Sequence, residues 1–126
     1  MARGDVPDLI LGSLLADAVD GAGLGLFVYD EEGSYIAVNR AAADMLGYTR
    51  EELMRRDVGD FTPGGLDRSL LQLNSRREGV RKLRRRDGTE IVTAFVVVPA
   101  RVSSFGYHLA VAWRLEPDDP RALDAT

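Results

Sequence analysis

Two stretches near the end of this chain constrain its fold most. They are Ile91 to Val98, Ile-Val-Thr-Ala-Phe-Val-Val-Val, and Gly106 to Leu115, Gly-Tyr-His-Leu-Ala-Val-Ala-Trp-Arg-Leu. β-Branched and aromatic residues dominate the first, and the second alternates bulky Tyr107, Leu109, Val111 and Trp113 with other residues, so both are predicted strands. Successive strand residues point to opposite faces of a sheet, which sorts each stretch into two rows. The first gives Ile91, Thr93, Phe95, Val97 and Val92, Ala94, Val96, Val98. The second gives Tyr107, Leu109, Val111, Trp113 and His108, Ala110, Ala112, Arg114. Neither row of the first stretch is polar. A sheet with one wet face alternates apolar and polar residues, so a sheet built on these strands needs cover on both sides.

The preceding chain supplies candidates for that cover. Asp8 to Asp20 sets Leu9, Ile10, Leu11, Leu14, Leu15, Ala18 and Val19 on a wide apolar side, with Ser13, Ala16, Asp17 and Asp20 at helical spacing opposite. This is an amphipathic helix in need of a partner. After Gly21-Ala22-Gly23, Leu24 to Asp30 and Ser34 to Val38 read as two strands joined by a turn in which Gly33 supplies a positive φ. Asn39 is placed to cap a helix over Arg40–Leu46, and Thr49-x-x-Glu52 is a capping box for a second over Arg50–Arg55. A helical turn near Val58–Phe61, an interruption at Pro63-Gly64-Gly65 and a longer helix over Leu66–Asn74 follow. Val80 to Arg86 is a third strand ending in the Asp87-Gly88 turn. The count is five strands, with the helices inserted between the second and third. Residues 117–126 form an acidic tail with two prolines, expected to be flexible.

The hairpin running into the Asn39 cap and Thr49-Arg50-Glu51-Glu52, together with Arg86-Asp87-Gly88-Thr89 and the two apolar strands, resembles the PAS family of sensor domains over residues 24 to 116. The resemblance implies an α+β fold: a five-stranded antiparallel sheet, the inserted helices on one face and the N-terminal amphipathic helix (residues 1–23) on the other. It also implies that Phe27, Tyr29, Leu83, Ile91, Thr93, Phe95, Val97, His108, Ala110 and Ala112 face the inserted helices, where relatives hold ligands. The candidate pocket is then Phe27, Tyr29, Met45, Phe61, Leu70, Leu73, Thr93, Phe95, His108, Ala110 and Ala112. A competing reading has Met45, Leu46, Phe61, Leu70 and Leu73 fill that space as ordinary core, because interiors pack to crystal-like density. On the other face Val92, Val96, Val98, Leu109, Val111 and Trp113 await Leu11, Leu14 and Leu15, a second copy of the chain, or both. Homodimerisation is expected on this physical ground alone.

Composition narrows the chemistry. The chain has no cysteine, which excludes disulfides, thiolate metal sites and cysteine nucleophiles. Light-sensing relatives need a reactive cysteine and a glutamine where this chain has Val58 and Ala112, so cysteinyl-flavin photochemistry is excluded. With His108 the single histidine, a histidine-rich metal site is excluded and haem is disfavoured; a hydrogen-bonded strand histidine is the ordinary reading. No phosphate loop, dinucleotide fingerprint or nucleophile arrangement is present, so the chain is not expected to be an enzyme. The inward row is apolar and aromatic, with Thr93, Tyr29 and His108 as polar handles. An apolar or aromatic small molecule, such as a fatty acyl chain, is the expected ligand class. Arg76, Arg77, Arg81, Lys82, Arg84, Arg85 and Arg86 form a dense basic cluster, read as charge that protects a sheet edge rather than as a nucleic-acid surface. The formal net charge of −4 argues the same way. Without a basic-apolar leader or a run of about 20 apolar residues, a cytoplasmic location away from membranes is expected.

Two functional classes follow from the resemblance: a ligand-binding sensor, and a ligand-free module for dimerisation or partner docking in a signalling system. Either implies a signalling effector as partner. Two departures stand out: Thr62-Pro63-Gly64-Gly65-Leu66-Asp67 replaces a His-Pro-Asp-Asp-like stretch, and Arg114-Leu115-Glu116 replaces Asp-Ile-Thr. The second weakens the case for direct output through a C-terminal helix.

Overall fold

Five antiparallel strands carry the fold. A computed structural model of the chain describes residues 5–61 and 75–124. The strands are β1 (Gly25–Asp30), β2 (Tyr35–Val38), β3 (Arg77–Arg84), β4 (Glu90–Val102) and β5 (Phe105–Arg114), in the order β2-β1-β5-β4-β3. The chain leaves one edge after β2, crosses one face of the sheet, and returns from the opposite edge as a β3-β4-β5 meander. Described helices are α1 (Asp5–Gly21), α2 (Arg40–Leu46), α3 (Arg50–Leu53) and two 3-10 turns, Val58–Phe61 and Pro120–Asp124.

Local chemistry pins the crossing segment to the sheet. Asn39 Oδ1 accepts from the Ala42 N–H at 3.0 Å, capping α2, and from the Leu26 N–H at 2.9 Å. Its Nδ2 donates to the Leu24 carbonyl at 2.9 Å, so one side chain ties the start of the helix to β1. Gly47, at φ 79°, ends α2 in a left-handed C-cap, and the predicted Thr49–Glu52 capping box opens α3. The α2 residues Ala41, Ala42, Ala43 and Leu46 are buried. These small side chains bring the helix so near β1 that a Cβ at Gly25 would lie 3.3 Å from the Ala42 backbone.

Several boundaries differ from expectation for identifiable reasons. β4 runs on to Val102 because its pairing with β5 continues out to Val102–Phe105, where Ser103 takes φ 55° to turn the hairpin. β3 starts at Arg77 rather than Val80, since its ladder with β4 reaches back to the Arg77–Val97 pair. α3 stops at Leu53 rather than Arg55. The helix expected over Leu66–Asn74 lies outside the described residues. Within the tail, Pro120–Asp124 forms a 3-10 turn, with Asp119 accepting from the Arg121 backbone at 2.9 Å and pairing with its guanidinium at 2.9 Å.

The two faces of the sheet differ in cover. Toward the crossing segment, Phe27, Tyr29, Val97 and Ala112 are 5% exposed or less and pack with Leu46, Leu53 and Phe61. On the opposite face Val92, Val96, Val98, Leu109, Val111 and Trp113 are each half-buried, and only Ala94, paired across from Trp113, is fully buried in that row. The N-terminal helix is present but flanks this face rather than lying on it. Its last turn is fixed by the Ala41 N–H, which donates to Asp20 Oδ1 at 3.1 Å, while Leu9, Ile10, Leu11, Leu14 and Leu15 are each 55–61% exposed.

Candidate functional site

Between the sheet and the crossing segment lies an apolar cavity of about 70 Å³. Its floor is Phe27 and Tyr29 of β1, Thr93, Phe95 and Val97 of β4, and Ala110 and Ala112 of β5. Tyr35, Leu46, Val58 and Phe61 roof it, and Arg81 and Leu83 of β3 wall one side. Alternation explains the floor, because partners across the ladders share a face: Phe27 stands beside Ala110, and Phe95 beside Ala112. Alanine at 110 and 112 leaves the space that a larger side chain would fill.

The aromatic rings form a connected set. Tyr35 lies 5.6 Å from Phe27 and 6.0 Å from Phe61, and Phe61 lies 5.3 Å from Tyr48, centroid to centroid. Burial pushes the Tyr29 hydroxyl up to about 12, an effect that the nearby Arg81 charge partly offsets. Burial also raises Tyr35 strongly, reinforced by Tyr29, Asp57 and Asp60. Arg81 is the charged side chain among the described residues that line the cavity.

Seven expected pocket residues meet at this cavity: Phe27, Tyr29, Phe61, Thr93, Phe95, Ala110 and Ala112. Leu70 and Leu73 lie outside the described residues. Met45 does not line the cavity. It sits at the rim of α2, its methyl near Gly25, because the alanine face of the helix turns toward the sheet. His108 does not line it either. Its ring is 4% exposed and stacks on Tyr29 at 5.0 Å and 13°, with Nδ1 lacking a hydrogen-bond partner among the described residues. The Thr93 hydroxyl donates to the Arg81 carbonyl at 3.2 Å, so as a handle it offers acceptor capacity.

Sequence reasoning misses Tyr35 and Arg81. For Arg81 the signal was present, since it shares a strand row with the inward Leu83, but the basic cluster drew it into an edge reading. Three other cluster members, Arg76, Arg85 and Arg86, act elsewhere. Arg85 Nε donates to the Met45 carbonyl at 3.1 Å, and Arg86 pairs with Glu52 at 2.7 Å while its guanidinium lies 5.6 Å from the Tyr48 ring centroid. These two clamp the β3–β4 turn onto α2 and α3. Arg76 pairs with Glu78 at 2.9 Å in solvent. Among the described residues, no group of three or more His, Asp or Glu could hold a metal ion, and no helix is long and apolar enough to cross a membrane.

A family model described as PAS domain matches residues 13–81, more than half of the chain. The chain belongs to the PAS domain family. Solved structures carry the same fold. The PAS domain of an HTR-like protein from Haloarcula marismortui is 20% identical with TM-score 0.74, over 90% of this chain and 98% of that one. A domain of a sensory box sensor histidine kinase/response regulator from Geobacter sulfurreducens is 26% identical with TM-score 0.68, over 83% and 96%. The PAS domain of nitrogen regulation protein NR(II) from Vibrio parahaemolyticus is 14% identical with TM-score 0.67, over 81% and 98%. No curated protein matches the sequence. PAS domains are typically sensory modules of signalling proteins, and the family and fold expectations from the sequence hold.

Proposed function

We propose that this PAS domain is a homodimeric signalling module that passes a signal to an effector through its sheet. The observation that carries this reading is the pair of apolar surfaces that the described residues leave uncovered. Leu9, Ile10, Leu11, Leu14 and Leu15 project from α1 at 55–61% exposure, and the row from Val92 to Trp113 is half-exposed beside them. The anchored last turn of α1 leaves the helix flanking its own outer face, in a groove lined by Ala16, Leu26, Val28 and Leu109. A second copy satisfies both surfaces at once, each protomer's helix covering apolar area that would otherwise stay in water.

A sensor role for the inner face is favoured by the cavity. Ala110 and Ala112 line it, and their neighbours Leu109, Val111 and Trp113 on the same strand form the outer row. A ligand that shifts β5 therefore has differential contact with two dimer packings, which is what a population shift requires. Native mass spectrometry of freshly purified protein tests both parts. Twice the chain mass is expected, with a retained small-molecule adduct for a sensor; a dimer without adduct identifies a ligand-free docking module. A monomer across all concentrations overturns the dimeric reading.

A further inference from the structure

We propose that the cavity takes an uncharged apolar molecule of about two or three heavy atoms, held by ring and methyl carbons and by no polar anchor. This inference rests on the ligand-binding reading of the same cavity and adds a size limit and a polarity to it. At about 70 Å³ the cavity is about half the ~150 Å³ void that stays dry and admits benzene or xenon. Six ring carbons fill the larger void, so about three heavy atoms fill this one. A benzene ring and a fatty acyl chain are both too large.

The walls enforce the size limit because they are held in place. Phe27, Tyr29, Leu46, Phe61, Val97 and Ala112 are each 5% exposed or less. The Tyr35 ring lies 5.6 Å from Phe27 and 6.0 Å from Phe61, and stands edge-on to Tyr29 at 6.5 Å. A larger guest has to displace several interlocked rings at once, and dense interiors resist such overpacking. Polarity follows from what the lining offers. Carbon makes up most of its surface. Thr93, 1% exposed, already donates its hydroxyl proton to the Arg81 carbonyl at 3.2 Å. The Arg81 guanidinium is itself engaged, lying 5.6 Å from the Phe95 ring centroid, so it is no open anchor for an anion. A polar guest therefore gives up its hydrogen bonds to water without equal return.

Chemical-shift titration of the full chain with xenon, ethane, methanol and benzene tests this, read at Val97, Ala110 and Ala112 inside and at Val96 and Val111 on the outer face. Saturable shifts of the inner three are expected with xenon and ethane. Ethane should bind about ten-fold tighter than methanol, its equal in heavy atoms, which is the loss that one poorly paired hydroxyl brings. Benzene should give no saturable shift. Ala110→Val and Ala112→Val each add methyl groups to the void, and each is expected to abolish the inner response without changing the outer one; where one variant does not fold, the other decides. An inner response missing for both xenon and ethane, methanol binding as tightly as ethane, or ethane binding that survives in the folded variants overturns the proposal. Benzene binding as tightly as ethane also overturns it, while the ligand-binding reading stands. If none of the four perturbs the inner residues the proposal fails, and an adduct seen by native mass spectrometry decides separately whether the ligand-binding reading fails with it.

Discussion

The inner and outer faces of this sheet are made from alternate residues of the same strands, yet they are finished differently. Inside, Phe27, Val97 and Ala112 are buried beneath α2, α3 and the 3-10 turn at Phe61. Outside, residues of equal hydrophobicity such as Val96, Val111 and Trp113 stay half-exposed, and Leu9, Leu11, Leu14 and Leu15 of α1 are more than half exposed. Patterning alone sets the demand for cover, but the chain's own connections decide where cover is delivered. The crossing segment is stapled to the inner face by Asn39, Arg85 and Arg86, whereas α1 is fixed to the body at its last turn. The outer face is thus the one that the described residues leave half-exposed.

Substitutions should separate the two faces sharply. Phe61→Ala, at 1% exposure, removes a ring from the inner core and is expected to cost about 3–5 kcal/mol in chemical denaturation. A loss below about 1 kcal/mol would mean that the inner face is loosely packed after all. Asn39→Ala strips three hydrogen bonds that join β1 to α2 and should cost about 2 kcal/mol. Leu14→Glu and Trp113→Glu should leave the isolated protomer folded while lowering or abolishing the dimer by sedimentation velocity. If both variants stay dimeric and equally stable, the outer row is assigned to the wrong role.

Smaller effects come from titration. The Tyr29 hydroxyl is raised in the folded state, so its contribution to stability is complete below the ordinary tyrosine value of 10.0 and is lost as pH climbs through about 12. Tyr29→Phe should flatten that alkaline decline. Glu52 is held below the usual carboxylate range, chiefly by the Thr49 backbone N–H and further by Arg86. Its contribution is therefore present at neutral pH and fades as pH falls through the carboxylate range. Glu52→Gln should produce the smallest change of the set, confined to the acid limb of a stability profile.

Much of this contrast was legible in the sequence, because period-two alternation reports faces directly: the two rows of β4 and β5 demanded two covers. Caps at Asn39 and Thr49 were readable because their chemistry is local. What the sequence withheld depends on tertiary distance. Met45 has the right character for a pocket, but the close approach of α2's alanines turns it to the rim. His108 lies in the inward row but is taken up in stacking on Tyr29. Arg81 was hidden by its neighbours, since charge clusters are read by type while a strand sorts its members by position.

Trp113 is the single tryptophan in the chain and lies near the end of β5 in the outer row, so its fluorescence reports on what covers that face. Quenching of Trp113 by acrylamide across a protein concentration series should weaken as the dimer forms, and in Leu14→Glu it should stay strong at every concentration. Quenching that is unchanged by concentration and identical in the two proteins would contradict the claim that a second copy completes the outer face.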